Sequence, residues 1–287
     1  MRVVLATAAA LIAFAANSLL CRAALGGGHA DAASFTALRL ASGAAILLAI
    51  SRRSGGARGG SWTSAAALFI YAAAFSFAYF FLPAGVGALL LFGAVQVTMI
   101  GAGIAGGERP SPSVWAGLVL ALGGLAHLSL RGSFMLSPGG TLLMLAAGAA
   151  WGVYSLRGRR AGPPVLATAD NFRRAAPMAI LVWFAAALAG ANHVTRAGAV
   201  LAVASGAITS GLGYVAWYSA LPHLTAARAA VLQLSVPVLA AAGGVLLLGE
   251  VLTARLVVAG VAILAGIALA TRRSRPAPTP SPTPART

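Results

Sequence analysis

The sequence predicts an all-α integral membrane protein, with ten transmembrane helices arranged as two inverted five-helix repeats and both termini cytoplasmic. Three observations carry this. First, 60% of the 287 residues are hydrophobic and 8% are charged, where a soluble domain would carry roughly a quarter charged residues. Second, the apolar residues fall into runs of membrane-spanning length. Third, one stretch occurs twice. The later copy reads Leu221-Pro222, Leu232-Gln233-Leu234-Ser235-Val236-Pro237, Gly249-Glu250, Gly260 and Gly266. The earlier copy reads Leu82-Pro83, Val95-Gln96-Val97-Thr98, Gly107-Glu108, Gly117 and Gly123. A weak internal repeat in a membrane chain marks two related halves.

A helix needs about 20 largely apolar residues to cross a bilayer. Ten segments meet or approach that length: 3–21, 34–50, 62–81, 84–106, 114–130, 139–156, 168–189, 199–220, 226–248 and 254–271. The first has Arg2 ahead of an apolar core, as a signal peptide would. Nine more spans follow and it has a counterpart in the second half, so it reads as a helix of the bundle. The repeats occupy residues 1–134 and 135–273. The tail 274–287, rich in Pro, Ser and Thr, cannot bury a core and is expected to be disordered.

Orientation follows from the bias of basic residues toward the cytoplasm. There is no lysine, so all twenty basic residues are arginine. With the N-terminus inside, the inner segments hold Arg2, Arg52, Arg53, Arg58, Arg109, Arg157, Arg159, Arg160, Arg173, Arg174, Arg228, Arg272, Arg273, Arg275 and Arg286. Outside lie Arg22, Arg131, Arg196 and Arg255, with Arg39 read as a turn into the second segment. Five helices per half means that the second half starts on the opposite side, so the halves are inverted. Glu108 then falls on the inner side and its echo Glu250 on the outer.

The net charge of +16 does not point to nucleic acid, because the arginines sit between apolar runs and not along one face. The single Cys21 excludes an intramolecular disulfide. Scattered acids and histidines make no metal-ligand spacing, and no metal or cofactor is expected. The expected partners are the lipid bilayer and a small-molecule substrate, with the monomer as the working unit.

The pattern of a Leu-Pro turn, an apolar helix with a central Pro or polar residue, Gly-Glu and a glycine-bearing last helix resembles the drug/metabolite transporter superfamily, in its ten-helix, two-repeat form. The match is tightest over 221–269, where Leu234-Ser235-Val236-Pro237 and Leu248-Gly249-Glu250 fit; in the first half Val95 stands where the second has Pro237. Within the superfamily the chain is similar to bacterial aromatic amino acid exporters. The resemblance implies a transporter of the bacterial inner membrane working by alternating access, and not an enzyme.

Candidate site residues are the polar and aromatic side chains near mid-span. They are Asn17, Tyr79, Gln96, Trp151, Tyr154, Tyr214, Trp217, Tyr218 and Gln233, with Pro237 as a kink. Tyr214, Trp217 and Tyr218 share one helix face at i, i+3 and i+4. Aligning the Leu-Pro turns sets Phe75 and Tyr79 against Tyr214 and Tyr218, and Asn17 of the first helix is matched with Trp151 of the sixth. The competing reading is structural. Aromatics form interfacial belts, and amides and hydroxyls hold helices together. Pro237 removes a backbone bond to Gln233, which frees a carbonyl where transporters place their sites. Glu108 and Glu250 read as helix-end partners, His127 and His223 as interfacial residues, and Asp31 and Asp170 as lying in or beside loops.

Three functions remain open. The leading one is export of small, largely neutral metabolites, amino acids including aromatic ones, because rings stack and amides hold the polar end. The alternative is efflux of lipophilic cations, which aromatic faces attract but which usually calls for a mid-membrane carboxylate. A membrane enzyme or assembly subunit ranks third, since no nucleophile–base pair stands out.

Overall fold

The structure, a computed structural model, describes residues 1–52, 59–79, 81–82, 84–129, 137–248 and 253–271. Pro83, Glu250, the tail 274–287 and Arg53, Arg58, Arg131, Arg272, Arg273, Arg275 and Arg286 lie outside the described residues. Among those described, the chain is helical. The helices are α1 (Arg2–Cys21), α2 (Ala32–Ser51), α3 (Trp62–Ala78), α4 (Ala84–Ala105), α5 (Pro112–Ser129) and α6 (Pro138–Gly158). They continue with α7 (Pro164–Leu188), α8 (Arg196–Ala204), α9 (Gly213–Ala220), α10 (Ala226–Gln233), α11 (Ser235–Leu248) and α12 (Ala254–Thr271). Six helical stretches are long and apolar enough to cross a membrane, and parts of α3, α4 and α5 form shorter apolar helices. Large apolar side chains such as Val97, Leu181, Leu246 and Leu247 face outward, where only lipid would favour them.

Local signals explain the helix starts. Asp31, Ser61, Ser137, Thr195 and Thr225 each accept a hydrogen bond from the backbone N–H three residues on, satisfying one of the donors that every helix start leaves free. The Leu221-Pro222 signal forms a single 3₁₀ turn, Leu221–His223.

Four features of the structure bear on the sequence reading. The seventh span begins at Pro164, with a proline at its first positions, which suits a helix start. Asp170 therefore stands inside α7, buried, and not in or beside a loop. The eighth span is not uniform α-helix, because Ser205–Leu212 between α8 and α9 is wound as a π-helix. There a Cβ on Gly206 would stand 2.0 Å from the carbonyl oxygen of Arg39, so only glycine lets α2 approach this backbone. The ninth span is broken between α10 and α11 at Leu234, whose N–H bonds back to Val231 at 3.0 Å. Pro237 is the cause, since it offers no N–H to the carbonyl of Gln233. Finally, Arg39 is not at an edge. It is the eighth residue of α2 and 1% exposed.

The helices pack in matched sets. α3 packs on α6 and α9 on α1; α4 packs on α6 and α11 on α1; α3 packs on α7, and the π-helical stretch and α8 on α2. The remaining close pairs are α2 with α7, α4 with α10 and α5 with α12. In the last pair Gly117 and Gly266 meet backbone to backbone: a Cβ on Gly117 would lie 2.3 Å from the Gly266 carbonyl oxygen. Small residues at such crossings let membrane helices gain close van der Waals contact.

Candidate functional site

A cavity of about 530 Å³ opens among the helices. Its lining comes from the last turns of α1 and the π-type turn after it (Ser18, Cys21, Arg22, Leu25), the second half of α3 (Tyr71, Phe75, Tyr79) and the first half of α4 (Leu91, Phe92). α6 adds Trp151, and the helix break adds Gln233, Val236 and Pro237. Thr253 and Leu256 at the start of α12 complete the wall. Arg22, Leu25, Tyr79 and Thr253 lie toward the end of the bundle away from the N-terminus of α1, while Trp151 and Gln233 lie near its middle.

Trp151 forms the inner end of the cavity. Its ring lies 4.9 Å from Tyr71, 4.9 Å from Tyr214, 5.1 Å from Phe14 and 5.7 Å from Tyr154, centroid to centroid. Its indole N–H donates to the side-chain oxygen of Gln233, and Gln233 in turn donates to the carbonyl of Ala229 and to Met99 Sδ. The break in the ninth span is thus pinned to α6 through one buried hydrogen bond.

Of the ten residues picked from sequence, Tyr79, Trp151, Gln233 and Pro237 line the cavity. The other six stand behind or beside it. Tyr154, Tyr214, Trp217 and Tyr218 form a buried layer that continues from Trp151 along α6. The Trp217 indole N–H donates to Ser155 at 3.1 Å and the Tyr218 hydroxyl to the Tyr154 carbonyl at 3.1 Å. The shared face of α9 is real and meets α6, α7 and α2, not open space. Asn17 accepts hydrogen bonds from Ser205 and Thr209, joining α1 to the π-helical stretch. Gln96 donates to the Ala230 carbonyl at 2.9 Å, joining α4 to α10.

The sequence points to Ser18 beside Asn17, but not to the rest of the α1 face, Phe14, Cys21, Arg22 and Leu25, which recurs every three or four residues, nor to Tyr71. Tyr71 stands four residues before Phe75 as Phe75 stands four before Tyr79, so extending that ladder back one turn finds it. Asn17 was chosen over its neighbour Ser18, yet adjacent helix positions point about 100° apart.

Arg39 is the larger omission. Its Nε donates to Ser210 Oγ at 2.8 Å and its Nη2 to the Tyr214 hydroxyl at 2.7 Å. Its guanidinium carbon lies 5.4 Å from the centre of the Tyr71 ring, and Nη1 makes no hydrogen bond. No ion pair to a carboxylate joins it among the described residues.

The opposite end, where α1 begins, is polar and tightly tied. Glu108 accepts from the backbone N–H groups of Ala226 and Ala227 at 2.9 and 3.4 Å and pairs with Arg159 at 3.0 Å. It thereby caps α10 and joins the end of α4 to the end of α6. Asp170 pairs with Arg173 and Arg174 at 2.7 and 2.9 Å and accepts from Gly60 N–H. Arg157 donates to Ser61 and Ser64. A second, polar cleft of about 630 Å³ lies here, lined by Glu108, Arg157, Arg159 and Arg160 among others.

A bundle of apolar helices with a central cavity and broken helices beside it has the form of a multi-pass membrane transporter. The model of the EamA-like transporter family matches residues 138–272, and the chain belongs to that family, within the drug/metabolite transporter superfamily. An uncharacterized protein of Pseudomonas aeruginosa is 55% identical over 271 residues, covering 93% of this chain and 94% of that protein. A protein of Salmonella typhimurium named "Probable amino-acid metabolite efflux pump" is 28% identical over 209 residues, 66% of this chain and 67% of that one. A solved crystal structure, described only as that of a protein, shares the fold with a TM-score of 0.75 at 24% identity, covering 92% of this chain and 98% of the other.

Proposed function

We propose that the protein exports small metabolites, foremost amino acids including aromatic ones, across the bacterial inner membrane by alternating access between two inverted five-helix repeats. The observation that carries the reading is the cavity of about 530 Å³, walled by aromatic rings and Arg22, with a few neutral polar groups at the break of the ninth span. That size and lining suit a small molecule with one apolar and one polar end. The name of the Salmonella relative points the same way.

The matched helix pairings support the repeat. Taking the ten spans in order, an exchange of spans one to five with six to ten turns the pair three–six into eight–one, four–six into nine–one and three–seven into eight–two. It leaves two–seven, four–nine and five–ten unchanged, and these are the close contacts that the helices make. With the N-terminus cytoplasmic, the cavity runs from the middle of the bundle toward the periplasmic side. Phe75 and Tyr79 line it, while their counterparts Tyr214 and Tyr218 are packed against α6 at the other end. An inward-open state would reverse these roles, parting the Glu108 and Asp170 ties and uncovering the Tyr214 and Tyr218 face.

The test is uptake by purified protein in liposomes of radiolabelled amino acids and cationic dyes. Aromatic amino acids should be carried, and Trp151→Ala should abolish uptake at unchanged expression. Dye uptake without amino acid uptake would replace this reading with efflux of lipophilic cations.

A further inference from the structure

We propose that Arg39 sets the charge selectivity of the cavity, so that the cargo is a molecule bearing a carboxylate, zwitterionic or anionic, and amines lacking that group are rejected. This deepens the export reading above and rests on it.

Arg39 lies about 10 Å along α2 from its start, at 1.5 Å per residue. A charged side chain at such depth is costly and marks function when it faces the protein interior. Here it is enclosed by the protein, and its partners are neutral: the hydroxyls of Ser210 and Tyr214 and the face of Tyr71. The described acids are engaged elsewhere. Asp31 holds the start of α2 and the N–H of His193. Glu108 holds Arg159 and α10, and Asp170 holds Arg173 and Arg174. Hydroxyl dipoles and a ring face solvate a cation without cancelling its charge, so the surroundings carry a net positive field.

That field reaches the cavity. Tyr71 is a lining residue, and the ring of Trp151, also in the lining, is 4.9 Å from both Tyr71 and Tyr214. Arg39 therefore sits one aromatic ring behind the wall. Among the described lining residues there is no Asp or Glu, and Arg22 is a second cationic residue of the wall. Across roughly 8 Å at an effective dielectric of about 20, a unit charge alters affinity for another by on the order of tenfold or more. A carboxylate directed at the Tyr71–Trp151 wall gains that factor, and a lone ammonium loses it.

The experiment compares phenylalanine with phenethylamine, which lacks only the carboxylate, in liposome uptake. It also measures the binding of each to the purified protein in detergent by equilibrium dialysis. The wild type should favour phenylalanine by at least about tenfold in both readouts. Arg39→Gln, which keeps donor groups but removes the charge, should lower the ratio severalfold although Arg22 stays in the wall, and Arg39→Lys should keep it. A purely structural Arg39 would change the amount of folded protein and leave the ratio alone. Equal handling of the two probes by the wild type, or an unchanged ratio in folded Arg39→Gln, overturns the proposal and leaves the transporter reading intact. Should Arg39→Gln fail to accumulate, the wild-type ratio decides. If neither probe is carried or bound, both readings fall.

Discussion

The hydrogen bond from Trp151 to Gln233 is the contact on which the shape of the cavity most depends, and its strength can be measured. Trp151→Phe keeps an aromatic ring against Phe14, Tyr71, Tyr154 and Tyr214 but removes the indole N–H. The side-chain oxygen of Gln233, in a residue 0% exposed, is then left without its donor. An orphaned buried acceptor costs about 1–3 kcal/mol, and interhelical hydrogen bonds in membranes average about 0.6 with a maximum near 1.7 kcal/mol. The two ranges meet at about 1–2 kcal/mol, which is the loss expected for Trp151→Phe beyond the small loss of ring area. Gln233→Leu leaves the indole unpaired and also gives up the bonds to Ala229 and Met99. In Trp151→Phe/Gln233→Leu neither partner is orphaned, so the double variant should be more stable than the sum of the singles predicts by about 1–2 kcal/mol. Equilibrium unfolding by SDS in mixed micelles, with all four proteins side by side, provides the cycle. Additivity within about 0.3 kcal/mol would refute the pin between α6 and the break of the ninth span.

Four further outcomes are expected. Gly117→Ala should destabilise by about 1–3 kcal/mol by overpacking, because its Cβ would meet the Gly266 carbonyl oxygen at 2.3 Å, while Gly123→Ala, with nothing within 4 Å of the added atom, should be tolerated; thermal unfolding in detergent compares them. Glu108→Ala should lose about 1 kcal/mol by uncapping α10, and substrate transport should not be driven by an imposed pH gradient; uphill accumulation lost in Glu108→Gln or Glu250→Gln would instead make that carboxylate a coupling site. Burial raises the Asp31 carboxyl, but hydrogen bonds from Ser34, His193 and Ala33 outweigh it and hold the group below its ordinary range. Its contribution to stability is therefore complete above about pH 4 and lost as the pH falls further, so the stability gap between wild type and Asp31→Asn should close in acid melts. A reporter active only in the periplasm, fused after Arg273, should give no signal; a strong signal would overturn the orientation.

What the sequence by itself determined was the set of elements. Apolar runs must satisfy every backbone group within themselves in lipid, so each becomes a helix wherever it sits in the fold. Caps at Asp31, Ser61, Ser137, Thr195 and Thr225, the Leu221-Pro222 turn and the break that Pro237 imposes at Leu234 are local events, readable from a few adjacent residues. Which side chains meet in space was decided only by the tertiary structure. A membrane helix can bury any of its faces against protein, and lipid does not mark the inner face with a clear polar pattern. Hence Ser18 lines the cavity while Asn17 binds Ser205, and Tyr79 lines it while the equivalent Tyr218 is packed against α6. Arg39 shows the same limit most plainly. Within an apolar run an arginine reads as a residue reaching for the edge. Only the approach of α2 to α3, the π-helical stretch and α9 supplies the Tyr71, Ser210 and Tyr214 partners that let the charge stay inside.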